Sequence, residues 1–175
     1  MHAFLSPSNY HWINDSDEKL DYRFETAQAA RRGVEMHELA QRLIRLGVKL
    51  PETSLTINQY VNDAIGFRMT PEQILFYSVN CFGTADAISF RKDKLRVHDL
   101  KTGNSKTSER QLYVYAALFC LEYGFKPVEI ETELRIYQNN EVYVYDADPV
   151  FTAFVMDRIV TFDKRIEAMR QEELA

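Results

Sequence analysis

The sequence is poor in cysteine and in positive charge, and it has no long hydrophobic run; each shortage closes off a class of function. Only Cys81 and Cys120 occur in 175 residues, far apart and set among apolar neighbours. Neither a disulfide framework nor a multi-cysteine zinc or iron–sulfur site can be assembled within one such chain. Two buried, reduced thiols are expected instead. Lys and Arg number 21 against 26 Asp and Glu, a formal net charge of −5. That balance argues against a protein that coats nucleic acid through a broad basic surface, so any phosphate site must be local or neutralised by a metal. No apolar run approaches the ~18 residues of a membrane span, and the N-terminus lacks a basic region followed by a hydrophobic signal core. No membrane partner is expected, and a reducing cytoplasm is the expected compartment. The GxxxxGK[ST] phosphate loop is also missing, so no ATP-driven step is expected of this chain.

What is present is enough apolar material, 46% of the residues, for one domain with one core. The expected domain spans 1–175, with 1–20 as a lead-in and 149–173 as a closing helix. In the lead-in, HAFLSPSNYHWINDS mixes turn formers with Tyr10 and Trp12, whose rings are expected to pack onto the domain. From about Asp21 to Leu46, Phe24, Ala27, Ala30, Val34, Met36, Leu39, Ala40, Leu43 and Ile44 recur at three and four. This spacing predicts an amphipathic helix, or a pair interrupted at Gly33, stopped by Gly47 and Pro51. A second helix is expected from about Pro51 to Thr70, with Ile57, Tyr60, Val61, Ala64 and Ile65 inward. The pattern then changes to β-branched and aromatic residues in ILFYSVN, FGTADAISF and KLRVHDL, a three-strand meander with an RKDK turn. SERQLYVYAALFCLEYG reads as a helix capped by Ser108 and ended by Gly124. VEIETELRIYQ and EVYVYDA read as a hairpin turning at Asn139–Asn140, residues that tolerate left-handed conformations.

The chemistry concentrates between residues 83 and 103. Alternation along a strand puts Leu95, Val97, Asp99 and Lys101 on one face, with Arg96, His98 and Leu100 on the other. Asp86 lies in a similarly apolar strand, with Phe82, Ile88 and Phe90 expected on its own face, and a hairpin brings it towards Asp99. Two carboxylates so close raise a pKa unless a cation fills the gap, and hard oxygen donors suit Mg²⁺ or Mn²⁺. Such a metal polarises a phosphoryl oxygen and lowers the pKa of a bound water. Lys101 would orient that water or offset charge building on the phosphate. His37 faces inward from the first helix, as a hydrogen-bonded core residue or as a ligand. Gln111 and Tyr115, four apart, share a helix face. The loop KTGNSKTSER gathers Lys101, Lys106 and Arg110 around Gly103, a locally basic segment fit to hold phosphates.

Taken in order, GVEMH, GTADA, DLKTG and QLYVY resemble the RecB-type branch of the PD-(D/E)XK nuclease superfamily, which includes RecB and AddB nuclease domains and the CRISPR-adaptation exonucleases. That branch has a helix His, an Asp after a GxxD turn, a strand Asp with Lys two residues later, and a Q-x-x-x-Y helix. Here these are His37, Asp86, Asp99 with Lys101, and Gln111 with Tyr115. The opening and the EMHELAQ segment are similar to a compact phage and prophage subgroup, and the resemblance covers roughly residues 2 to 146. It implies an α/β fold of restriction-endonuclease type, a mixed central sheet flanked by helices with an αβββαβ core. It implies that His37, Asp86, Asp99 and the Leu100 carbonyl ligate Mg²⁺ or Mn²⁺, and that Lys101 is the catalytic lysine. Gln111 and Tyr115 would support the site and approach DNA, with Thr102, Lys106 and Arg110 beside them. The iron–sulfur cluster of many relatives is not expected, because its four cysteines are missing.

The resemblance implies a metal-dependent deoxyribonuclease, an exonuclease in DNA recombination, repair or phage DNA processing, in the host-cell cytoplasm if phage-encoded. One alternative is a catalytically silent nucleic-acid- or protein-binding module on the same fold; another is a structure-specific endonuclease. DNA is the expected partner. A recombinase, single-strand-binding protein or helicase would be a separate chain, and a homo-oligomeric ring could focus scattered cations onto one passage.

Overall fold

The β-branched and aromatic stretches pair into one five-stranded sheet in the computed structural model, which describes residues 3–174; residues 1, 2 and 175 lie outside the described residues. The strands are β1 (Thr70–Ser78), β2 (Cys81–Arg91), β3 (Lys94–Leu100), β4 (Glu131–Gln138) and β5 (Glu141–Asp146), in that spatial order. β3 and β4 run parallel and every other neighbouring pair is antiparallel. The parallel pair needs a crossover, supplied by helix α3 (Arg110–Tyr123). Helices α1 (Asp17–Leu46) and α2 (Thr56–Gly66) precede the sheet, and α4 (Pro149–Leu174) follows it. The architecture is thus α/β, a mixed sheet between two helical layers.

Two of the three hairpin turns, β2–β3 and β4–β5, follow from residues that accept left-handed backbone. Lys92 and Asp93 have φ of 50° and 58°, and Asn139 and Asn140 have 53° and 64°. β1 begins four residues before the expected ILFYSVN. Pro71 is tolerated there because β1 is an edge strand, where a missing amide donor breaks no ladder. It ends at Ser78, whose hydroxyl accepts from the Asn80 amide at 3.1 Å and shapes the turn.

One apolar layer packs Leu75, Leu95, Val97, Leu134 and Ile136 of the sheet against Leu112 and Ala116 of α3, with Phe151, Val155 and Ile159 of α4 beside them. The other packs Ala87, Leu100 and Tyr137 against Ala40 and Ile44 of α1 and Tyr60, Val61 and Ala64 of α2. The alternation expected for β3 therefore holds. α2 is shorter than the stretch from Pro51 to Thr70. Asn58 turns back to hydrogen-bond the Pro51 carbonyl and Thr53, holding residues 51–55 outside the helix.

α1 departs further from expectation. It is one continuous helix through Gly33, capped by Ser16 at its start and by Gly47 (φ 66°) at its end. At 1.5 Å per residue, 30 residues reach about 45 Å, whereas the seven residues of β3 extend only about 20 Å. The first half overhangs, and only Gly33, Ala40 and Ile44 are buried. Phe24, Val34, Met36 and Leu39, expected inward, are exposed: Phe24 lies in the overhanging half, and the other three lie off the stripe of Gly33, Ala40 and Ile44 that faces the protein. Tyr10 is exposed too and stacks on His11 rather than on the domain, while Trp12 Nε1 donates to the Ser6 carbonyl. Cys120 is buried as expected; Cys81 is only half-buried, at the start of β2 next to the turn. Among the described residues no helix is long and apolar enough to cross a membrane.

Candidate functional site

β2 and β3 pair as far as the rung Ala87↔His98, and the two aspartates lie just beyond it. There the pleat is interrupted. Ala85 and Ile88 both pack on the α3 side while Ala87 packs on the α1 side, which unbroken alternation forbids. On the facing strand Glu72 has φ 52°, a left-handed conformation costing a non-glycine residue on the order of 1 kcal/mol. Asp86 consequently does not share a face with Phe82, Ile88 and Phe90: Phe82 is exposed, whereas Ile88 and Phe90 join the α3-side core. Its Oδ2 instead accepts the Leu100 amide at 2.8 Å. The Leu100 group tied to Asp86 is thus its N–H; the carbonyl named from the sequence is the other end of that residue.

His37 reaches the same place from α1, its Nδ1 3.6 Å from Asp86 Oδ2. Glu72 completes a trio, in which one ligand atom from each of His37, Glu72 and Asp86 lies within 4.8 Å of the others. These three line an open cavity of about 480 Å³ with Gly33, Val34 and Thr102. Glu72 is absent from the sequence reading because β1 is there begun at Ile74. Extending the ladder from Gln73↔Ala85 by one rung puts Glu72 opposite Asp86, so the signal lay in the register.

Asp99 stands beside the trio rather than in it. It is 3% exposed, and Lys101 Nζ lies 3.1 Å from its Oδ1 and 3.0 Å from its Oδ2. The ammonium donates to Oδ1; Oδ2 is buried without a hydrogen bond of good geometry. Lys101 also donates to Gln111 Oε1 at 3.0 Å, and Gln111 Nε2 donates to the Tyr115 hydroxyl at 3.2 Å. The expected sequence Asp99, Lys101, Gln111, Tyr115 is therefore a continuous hydrogen-bonded chain. Tyr115 packs closely over Gly83: a Cβ there would stand 3.1 Å from the ring, which would have to move by a few tenths of an ångström.

Burial, and then the neighbouring Asp99, push the Asp86 carboxyl up to about 6. Burial also raises Asp99, against the opposing pull of Lys101. Both shifts mark a place where negative charge is uncomfortable without a cation. Two carboxylates and an imidazole converging, next to a third carboxylate with an orphaned oxygen, form a donor set that fits a hard divalent ion such as Mg²⁺ or Mn²⁺.

The loop after β3 is fastened at two points. Gly33 lets α1 approach it so closely that a Cβ would meet Thr102 Oγ1 at 2.7 Å. Gln138, 5% exposed at the end of β4, donates to the Gly103 and Ser105 carbonyls and accepts from Thr107. Nothing in the sequence singles out Gln138, since its role depends on β4 lying parallel to β3. Lys106 and Arg110 are exposed on the loop and at the start of α3; neither lines the cavity of the trio. Ser108 accepts the Arg110 amide at 3.3 Å, although Glu109 holds the N-cap position of α3.

Compared with family models, with curated proteins and with solved structures, the chain matches none.

Proposed function

We propose that the chain is a metal-dependent deoxyribonuclease of the RecB type, an exonuclease acting in DNA recombination, repair or phage DNA processing. The observation that carries this reading is the convergence of His37, Glu72 and Asp86 next to Asp99, a buried carboxylate with Lys101 Nζ within 3.1 Å of both oxygens and no hydrogen bond of good geometry at Oδ2. In this reading His37, Asp86 and Glu72 hold Mg²⁺ or Mn²⁺, with Asp99 Oδ2 and the Leu100 carbonyl as further donors. Bound there, the ion supplies a Lewis acid and a water of lowered pKa. Lys101 offsets charge on the phosphate in the transition state. Asp99 and Gln111 fix where its ammonium sits, and Tyr115 fixes Gln111. Lys106 and Arg110 offer phosphate contacts that orient the strand without reading its sequence.

The test is incubation of pure protein with end-labelled single- and double-stranded DNA in Mg²⁺, in Mn²⁺ and in EDTA. Cleavage is expected with either ion and not in EDTA, and the ladder of products separates stepwise removal of ends from internal cuts. Asp99→Ala should abolish it. Lys101→Met should slow it by at least about a hundredfold, the scale of losing one group that stabilises a transition state. An Asp99→Ala protein that cuts at the original rate overturns the assignment. Inactivity on every DNA form, with no effect of Mn²⁺ on melting, would favour the silent binding module.

A further inference from the structure

Positive charge collects towards the other end of β3, about 10 Å (Arg96) to about 23 Å (Lys92) from Asp99 at strand spacing. An open cavity of about 610 Å³ there is lined by Gly66, Phe67, Arg68, Arg91, Lys92 and Arg96. Four of those six residues are cationic and none is acidic, in a chain whose net charge is −5. The backbone enforces the gathering. Arg68 follows the end of α2 with φ 53°, and Lys92 (φ 50°) forms the tight β2–β3 turn whose flanks bring in Arg91 and, further along β3, Arg96.

The nearby carboxylates, Glu133 and, in the adjoining cavity, Asp93, Glu129 and Glu131, make no ion pair with Arg68, Arg91 or Lys92 among the described residues. Arg135, just behind this corner, is matched, donating to Asp63 at 3.0 Å and to Glu133 at 2.9 Å. Glu133 is also the carboxylate nearest to Lys94, at 3.2 Å, and to Arg96, at 3.4 Å, so one anion serves three cations. Arg96 Nε is buried and makes no hydrogen bond. The Phe67 ring has the Arg96 guanidinium 4.5 Å from its centroid and that of Arg135 at 4.8 Å, which fixes the Arg96 plane by cation–π attraction.

We propose that this cavity binds a phosphate group. A guanidinium held in plane presents a fork that matches phosphate oxygens, and a tetrahedral anion has enough oxygens to engage several cations at once. Because the cavity is open, the phosphate can belong to something larger, as a phosphomonoester or as a phosphodiester. The site shares no lining residue with the cavity of the candidate metal ligands and does not depend on what they do.

Titration of the full chain with inorganic phosphate at constant ionic strength, followed through its ¹H–¹⁵N amide spectrum, tests this directly. Saturable shifts are expected at Gly66, Phe67, Arg68, Lys92 and Arg96, and not with chloride at the same ionic strength. The exposed pair Arg68→Gln and Arg91→Gln, made together, should lose the response at least tenfold in apparent affinity while melting as wild type does in phosphate-free buffer. Two further arms separate the sources: a nucleoside monophosphate reproducing the shifts points to a phosphomonoester, and an oligonucleotide without terminal phosphates points to a phosphodiester. No saturable shift with any of the three, an equal response to chloride, or an unchanged response in the double variant would overturn the proposal.

Discussion

Asp86 and His98, close to one rung of the β2–β3 ladder, are both pushed by burial towards their neutral forms, with opposite consequences for pH. Asp86 rises to about 6, so in metal-free protein the folded state holds a proton that the unfolded chain has released. Its contribution is fully present below about pH 4 and is lost as pH rises towards 6. His98 is wholly buried and falls to about 3, first through burial and then through Arg135 and Arg96. The unfolded chain takes up that proton below about pH 6.5 and the folded chain does not, so stability drops as pH falls. The Asp63 carboxylate can only accept, so Tyr137 donates to it at 2.7 Å and His98 must donate from Nδ1 to the Tyr137 oxygen. This leaves His98 Nε2 as a lone pair without a partner. Melting curves in EDTA between about pH 4 and 6 should therefore fall more steeply on acidification for Asp86→Asn than for wild type, and less steeply for His98→Gln. Identical slopes in all three proteins would contradict these environments.

Two elements meet at points where a glycine leaves no room for a side chain. Gly33 in α1 is the informative one, because alanine is preferred to glycine within a helix by about 1 kcal/mol, whereas a Cβ here meets Thr102 Oγ1 at 2.7 Å. Thr102 is exposed and can swing away, so Gly33→Ala should leave the melting temperature within a few degrees of wild type. Whatever that rotation does not absorb shifts the loop carrying Lys101, and displacement of order 1 Å at a reacting site costs up to about a hundredfold in rate. Adding Thr102→Ala should restore cleavage, since the next nearest atom to the new Cβ is at 3.8 Å. A single variant with the wild-type rate would show that this contact positions nothing. Gln138 fastens the same loop from β4, and Gln138→Ala removes three hydrogen bonds at a buried position. A loss of about 1–3 kcal/mol is expected. Amide exchange at residues 103–107 should accelerate beyond what the global destabilisation explains.

For the whole molecule, the clearest expectation is a linkage between ion binding and folding. Mn²⁺ at a hundred times its dissociation constant stabilises a folded state by about 2.7 kcal/mol, which for a chain of this size raises the melting temperature by about 5–10 °C. Glu72→Gln should reduce that rise, a result the sequence reading alone would not anticipate, whereas Asp93→Asn at the far turn should not. A rise unaffected by Glu72→Gln would remove that residue from the ligand set. Much of the architecture is legible in the sequence, because helices and strands announce themselves through periods of 3.6 and 2 within a few residues. The β3 alternation, the turns at Lys92–Asp93 and Asn139–Asn140, helix α3 and the pairs Asp99–Lys101 and Gln111–Tyr115 are local in this sense. Three things are decided only by tertiary structure. Which half of α1 is covered depends on a helix of 30 residues outrunning a sheet strand of seven. Glu72 joins His37 and Asp86 only once β1 is extended to Thr70 and the pleat breaks. The cation cavity joins residues of α2's end, the β2–β3 turn and β3, which are brought together by the packing of the layers. Each of these depends on register and on the relative lengths of packed elements, and such quantities are summed over contacts distant in sequence, where local periodicity carries no information.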